Sequence, residues 1–192
     1  HASLDPARYH QELLDRVLTA GASVIPHCPV GKIDRSGRGF IVDTPRGRLH
    51  ARDVIIATNG YTGSLTPWQR RRVIPIGSYM IATETLEPKL MNQLMPKDRV
   101  VSDTRKVVFY YRPSPDRTRI IFGGRVSSSE TDTRTSALLL KRNLVQIFPD
   151  LKTVRVSHSW MGYVAYTFDT LAHLGRHDGI YYAMGYCGSG VS

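Results

Sequence analysis

The stretch that most constrains this chain is Asp53-Val54-Ile55-Ile56-Ala57-Thr58, apolar without alternation and followed by Asn59, Gly60 and Gly63. Strands exposed on one face alternate apolar and polar residues, so an unbroken apolar run predicts a strand buried on both faces, as in a parallel sheet. A second such run, Ile180-Tyr181-Tyr182-Ala183-Met184, ends on GYCGSGV at 185–191. The chain's 192 residues, 41% hydrophobic and 22% charged, are enough to bury a core and exclude intrinsic disorder.

Asp5 as N-cap, Pro6 at the first helical position, and Tyr9, Leu13, Val17 and Ala20 at helical spacing predict a first helix with one buried face, stopped at Gly21. Short extended segments at 22–25, 30–33 and 39–43, broken by turn residues, read as a β-meander. A long extended region follows over 73–85. Segments 106–112 and 119–123 flank the turn PSPDRT and predict a hairpin. Residues 135–148 predict a second long helix, closed by Pro149, and 154–165 return to strand. Two long helices among many strands point to an α+β fold, with helices on one face of a mostly antiparallel mixed sheet.

The two strand ends are the places built to meet a ligand. Ala57, Thr58 and Gly60 carry no bulk, so the backbone can come within hydrogen-bonding distance of a bound group, and a helix starting near Ser64 or Thr66 would aim free N–H groups at it. Asn59-Gly60 reads equally as an ordinary turn. Three glycines and a serine over 185–190 make either a backbone cradle for an anion or flat polar ring, or a surface loop. No GxGxxG, Walker loop or GxSxG elbow occurs.

His27, His158, His173 and His177 lack metal-ligand spacing with acidic partners, so no metal is expected. Cys28 and Cys187, far apart, encode neither a disulfide framework nor a zinc site and point to a reducing, cytoplasmic setting. No apolar run approaches the roughly 20 residues that cross a bilayer, so no membrane partner is expected. A net charge of +10 admits nucleic acid or an anionic ligand. Arg70-Arg71-Arg72 beside Trp68 is the locus for either, but no RNA- or DNA-binding signature accompanies it, so the triplet reads first as a solvated surface run and nucleic acid is not expected.

Taken in order, DPARY at 5–9, CPV at 28–30, ATNGYTG at 57–63 and PIGSYMIATE at 75–84 resemble the D-amino-acid oxidase superfamily of FAD-dependent amine oxidoreductases. FGGR at 122–125, WMGYVAYTFD at 160–169, LGR at 174–176 and GYCGSGV at 185–191 are similar to its γ-glutamylputrescine oxidase and glycine/sarcosine oxidase branch. The likeness runs over nearly the whole chain. It implies FAD as cofactor, a small-molecule amine or amino acid as substrate, and hydride transfer from the C–N carbon to flavin, leaving an imine. Relatives that link flavin through a cysteine carry it just before a Tyr-Thr pair; Val164 and Ala165 precede Tyr166-Thr167 here, which implies a noncovalent flavin. The resemblance also implies that 1–72 are part of a Rossmann-like FAD-binding domain, 73–165 a substrate-binding domain, and 166–192 a return to the FAD-binding domain. Because family members hold the FAD pyrophosphate on an N-terminal GxGxxG, the chain is expected to be a fragment of a longer enzyme and to bind FAD poorly alone. The alternative is a basic, non-enzymatic module that binds nucleic acid or an anionic ligand.

Position by position, the resemblance implies Val30 at the adenine and Ala57, Thr58, Asn59 and Gly60 beside the cofactor, with Trp68 covering it. Gly185, Tyr186, Gly188, Ser189, Gly190 and Val191 look like the loop near the flavin ring, where relatives commonly read GHG and Ser189 takes the histidine's place. Tyr79, Tyr110, Arg112, Tyr163 and Tyr166, on strands that roof the flavin in that family, are the implied substrate contacts. Cys187 is expected to pack rather than link, and presenting a neutral amine to the flavin requires no catalytic acid or base.

Overall fold

The computed structural model describes residues 3–105, 108–126 and 130–188. In chain order its elements are helix α1 (Pro6–Thr19), strands β1 (Lys32–Ser36), β2 (Gly39–Thr44), β3 (Gly47–Ala51) and β4 (Ile55–Ile56), helix α2 (Pro67–Arg70), strand β5 (Ile74–Thr83), helix α3 (Pro88–Leu94), strands β6 (Val101–Ser102), β7 (Phe109–Pro113) and β8 (Ile120–Gly124), helix α4 (Thr133–Ile147), and strands β9 (Val156–Tyr166), β10 (His173–His177) and β11 (Ile180–Met184). They fall into two compact units, one built on Gly77–Gly162 with the residues up to Asp5, the other on Pro6–Ile76 and the residues from Tyr163 onward.

The first unit is a sheet in the order β6-β7-β8-β5-β9. Antiparallel register sets Tyr111, Phe122 and Ile81 in one row and Phe109, Gly124 and Tyr79 in the next, all on one face. That face carries the core: Tyr79, Ile81, Ile120 and Phe122 pack with Met91 of α3 and Leu140 and Leu144 of α4. Truncating either leucine to alanine would cost about 2–5 kcal/mol, because both are fully buried. Helix α4 begins two residues before the predicted start, since Asp132 accepts the N–H groups of Arg134 and Thr135, each at 2.9 Å, and so caps it. Lys141 donates from α4 to the carbonyls of Leu151 and Val154, and burial holds its ammonium below the ordinary lysine range. The α+β class and the predicted hairpin of β7 and β8 are both present.

In the second unit, β1, β2 and β3 form a meander, but displaced along the chain from the one predicted over 22–25, 30–33 and 39–43: its third strand is β3, where no strand was expected. A separate sheet runs β10-β11-β4, with β11 antiparallel to β10 and parallel to β4. Its small core joins Val73, Ala165 and Met184, with Trp68 and Tyr182 against them. Helix α1 starts at Pro6 as predicted and ends in a Schellman turn: Gly21 has φ +84°, and Ala22 N–H donates to Val17 O at 3.2 Å.

Several expectations are corrected here. The apolar stripe of α1 is not buried, since Tyr9, Leu13 and Val17 are 42–44% exposed; periodicity defines a stripe but not the element that lies on it. Residues 22–25 form no strand. The strand predicted over 53–58 shrinks to the two residues of β4, and Ile55 is 68% exposed, because among the described residues β4 has a neighbour on one edge only. The last strand is only partly buried, with Tyr181 at 39% exposure. Helix α3 and strands β3, β6 and β10 were not anticipated; elements of two to seven residues carry too little periodicity to announce themselves.

Candidate functional site

Parallel pairing of β4 with β11, Ile55 opposite Tyr181 and Ile56 opposite Tyr182, brings the two predicted strand ends side by side. Carboxyl ends of adjacent parallel strands are where open α/β sheets receive ligands. A hydrogen bond ties the two ends together: Gly185 N–H donates to Asn59 Oδ1 at 3.0 Å. Asn59 adopts a left-handed φ of +46° whereas Gly60 does not, and Asn59 opens a single 3-10 turn over Asn59–Tyr61. The short helix α2 follows, its N-cap at the predicted Thr66.

Small residues at these ends are required by close contacts. A Cβ on Gly60 would lie 2.8 Å from the Cβ of Tyr163 and 2.9 Å from its carbonyl oxygen. Tyr61 sets its ring edge-on to Tyr163, centroids 5.3 Å apart, and accepts the Tyr163 N–H on its hydroxyl at 3.3 Å. A Cβ on Gly185 would strike the Thr167 methyl. Left-handed conformations recur at Gly185 (φ +76°), Cys187 (+51°) and Gly188 (+79°), so the backbone turns sharply through this loop. Cys187 N–H donates to Ala165 O at 2.9 Å and its thiol to Gly185 O at 3.1 Å, whereas the N–H groups of Tyr186 and Gly188 have no acceptor among the described residues. Ser189, Gly190 and Val191 lie outside the described residues.

The turn after β9 braces this loop. Thr167 Oγ1 lies 2.9 Å from Asp169 Oδ1 and 2.8 Å from Leu171 O, and Asp169 Oδ1 also accepts Leu171 N–H at 3.1 Å and meets His173 Nε2 at 3.0 Å. The hydrogen bond from His173, then those from Leu171 and Thr167, hold the Asp169 carboxyl at about 2, below its ordinary 3.8. A concavity of about 280 Å³ lies alongside, bounded by Trp68, Arg72, Phe168, Asp169, His173 and Met184. Trp68 stacks on His177 at 4.2 Å, and the Arg72 guanidinium lies 3.8 Å from the indole centroid. The arginine triplet thus contributes one cation to this wall. Val30 sits just ahead of β1, 38% exposed. Tyr166 ends β9, half-buried. Among the described residues no cluster of three His, Cys, Asp or Glu side chains could hold a metal, and no helix is long and apolar enough to cross a membrane.

The first unit holds the other three tyrosine and arginine candidates and does not keep them together. Tyr79 points into the core, 1% exposed, its hydroxyl donating to Glu130 Oε2 at 2.7 Å and accepting Thr131 N–H at 3.0 Å. Tyr110 and Arg112 lie on the opposite face, as their alternation with Phe109 and Tyr111 requires. Arg112 donates to the carbonyls of Pro113 and Leu4. Sequence reasoning missed Tyr61, the Asp169–His173 pair and Ser78, which meets Tyr110. The Thr-x-Asp spacing of an Asx-type turn could have disclosed Asp169; Ser78 carries no local signal, because its partner is 32 residues away.

The family model described as "FAD dependent oxidoreductase" matches residues 1–192. Among curated relatives, a protein named "Gamma-glutamylputrescine oxidoreductase" from Escherichia coli is 35% identical over 154 residues, 79% of this chain and 36% of the relative. A "Probable oxidoreductase OrdL" from Rhizobium meliloti is 32% identical over 164 residues, 85% of this chain and 38% of the relative. The chain therefore spans well under half the length of these two relatives. Among solved structures, L-proline dehydrogenase from P. horikoshii superposes with a TM-score of 0.75 at 19% identity, covering 97% of this chain and 51% of that one, a likeness of fold.

Proposed function

Because this chain belongs to the FAD-dependent oxidoreductase (DAO) family, we propose that it carries part of the cofactor site and part of the substrate site of a flavoenzyme that oxidises the C–N bond of a small amine or amino acid to an imine. The observation that carries this reading is the Asn59–Gly185 hydrogen bond, which joins two small-residue strand ends at the carboxyl side of a parallel pair. When bound, FAD supplies the hydride acceptor. The residues fit such a group: Gly185 and Gly188 hold left-handed backbone, nothing lies closer than 3.9 Å to a Cβ built on Gly188, and two N–H groups there are without acceptors among the described residues. N–H groups without acceptors can stabilise negative charge on a ring edge brought against them.

In this proposal the unit from Pro6–Ile76 and Tyr163 onward holds cofactor through Val30, Ala57, Thr58, Asn59, Gly60, Trp68 and the loop from Gly185 through Tyr186 and Gly188 to Ser189, Gly190 and Val191. Tyr110 and Arg112, on the unit built on Gly77–Gly162, and Tyr163 and Tyr166, on the other unit, are the residues proposed to meet substrate. Tyr79, with its hydroxyl engaged by Glu130 and Thr131, serves the core. The Cys187 thiol is turned to Gly185 O, which suits a flavin held without a covalent bond. Both cysteines are free, in keeping with a reducing, cytoplasmic setting.

The test is made on the full-length gene product, purified and examined for flavin absorbance, then mixed without oxygen with γ-glutamylputrescine, L-proline and glycine in turn. At least one amine should bleach the flavin and, with oxygen readmitted, yield peroxide if the enzyme is an oxidase. A colourless protein that takes up no FAD overturns the reading, and salt-labile retention of RNA by such a protein would favour the basic-module alternative.

A further inference from the structure

Resting on the reading that the sheet face opposite the core meets substrate, we propose that Ser78 is a positioning residue that fixes the Tyr110 phenol for contact with the substrate's amine or carboxylate. The register places Tyr110, Gly123 and Met80 in one row across β7, β8 and β5, on the face away from Phe122. A side chain at Gly123 would collide with both the Met80 sulfur and the Tyr110 ring. The missing Cβ therefore lets the Tyr110 ring lie across β8 instead of standing off the sheet, the usual attitude of a strand side chain. Lying flat, its hydroxyl reaches over the middle strand and hydrogen-bonds Ser78 Oγ on β5, two residues before Met80 and on the same face.

Two features separate this contact from ordinary packing. The adjacent Tyr79 shows how a core tyrosine is satisfied here, by a carboxylate and a backbone N–H on the helix-covered face. The Ser78–Tyr110 pair is instead two hydroxyls on the other face, both side chains only partly buried, and either oxygen can be the donor. Because either hydroxyl can be the donor, Ser78 can hold the Tyr110 ring in place whether the phenol gives or takes the proton of their bond.

The experiment uses S78A, S78T, Y110F and the S78A/Y110F double variant of the full-length gene product. In protein carrying carbon-13 at tyrosine Cζ, the Tyr110 resonance, identified by its loss in Y110F, should shift in S78A and keep its wild-type position in S78T. With an amine that is oxidised, S78A and Y110F should each lower kcat/KM by roughly threefold to tenfold, the double variant should be no worse than Y110F, and S78T should stay within about twofold of wild type. An unmoved resonance in S78A, or losses that multiply in the double variant, overturns the role of Ser78. If the resonance moves but no amine is oxidised by the wild-type protein, the proposed function fails, and the task given to Tyr110 fails with it.

Discussion

At the scale of single residues, the two strand ends are defined by what they omit. Gly185 combines a left-handed backbone with a Cβ direction that points into the Thr167 methyl, so alanine there meets both a backbone penalty and a collision. Gly63, in the same segment as Asn59, has nothing within 4 Å of a built Cβ and no positive φ. We expect G185A to lose about 1–3 kcal/mol in urea denaturation and G63A to be neutral or more stable by up to about 1 kcal/mol. Equal behaviour of the two would show that the 185 loop is not held as described. These glycines were legible in the sequence because small-residue clusters are local features. Which tyrosines share a face was not: Tyr79 and Tyr110 sit on different strands, and alternation within each strand says nothing about the register between them, on which their separation depends.

At the scale of elements, the turn over residues 167–173 supports the glycine loop, and its keystone is a carboxylate. Asp169 must be ionised to accept from His173, Leu171 and Thr167 together, and its carboxyl titrates at about 2 in the fold against an ordinary 3.8. A depressed carboxylate adds stability that is fully present above the unfolded value and is lost as pH falls through the folded one. Thermal unfolding followed from pH 5 down to pH 2 should therefore show a steeper fall in Tm for the wild type than for D169N, which starts lower at neutral pH and has less to lose. Parallel slopes would remove Asp169 from this role. The elements themselves were read well where the signal was long or punctuated: α1 by Pro6 and Gly21, the β7–β8 hairpin by its PSPDRT turn; the meander was foreseen as a kind of structure but placed too early in the chain, because short extended segments between turn residues do not say which of them pair. The α4 start was misjudged by two residues because Asp132 caps from outside the apolar repeat, and the cover of α1 was misjudged because periodicity contains no information about a partner.

At the scale of the whole chain, charge and cofactor meet in one question. Some of the arginines are paired locally on the surface, as in Arg8–Glu12, Arg48–Asp43 and Arg52–Asp53, and such exposed pairs contribute little to stability. The excess of +10 therefore acts as a diffuse field that attracts any polyanion, FAD included. In the proposed function the 185–188 loop offers N–H groups to a ring, but these 192 residues hold no GxGxxG to take the pyrophosphate, where the charge of FAD resides. Ring contacts without the pyrophosphate anchor leave only part of the binding surface, so equilibrium dialysis should find weak, substoichiometric FAD on this chain alone. That residual uptake should disappear at high salt, since exposed charges are screened within a Debye length of roughly 3 Å at 1 M. The full-length gene product should instead retain FAD through gel filtration at the same salt. Stoichiometric, salt-resistant FAD on the 192 residues alone would mean that the pyrophosphate is held by groups already present, with Arg72 against Trp68 the first to test by R72Q.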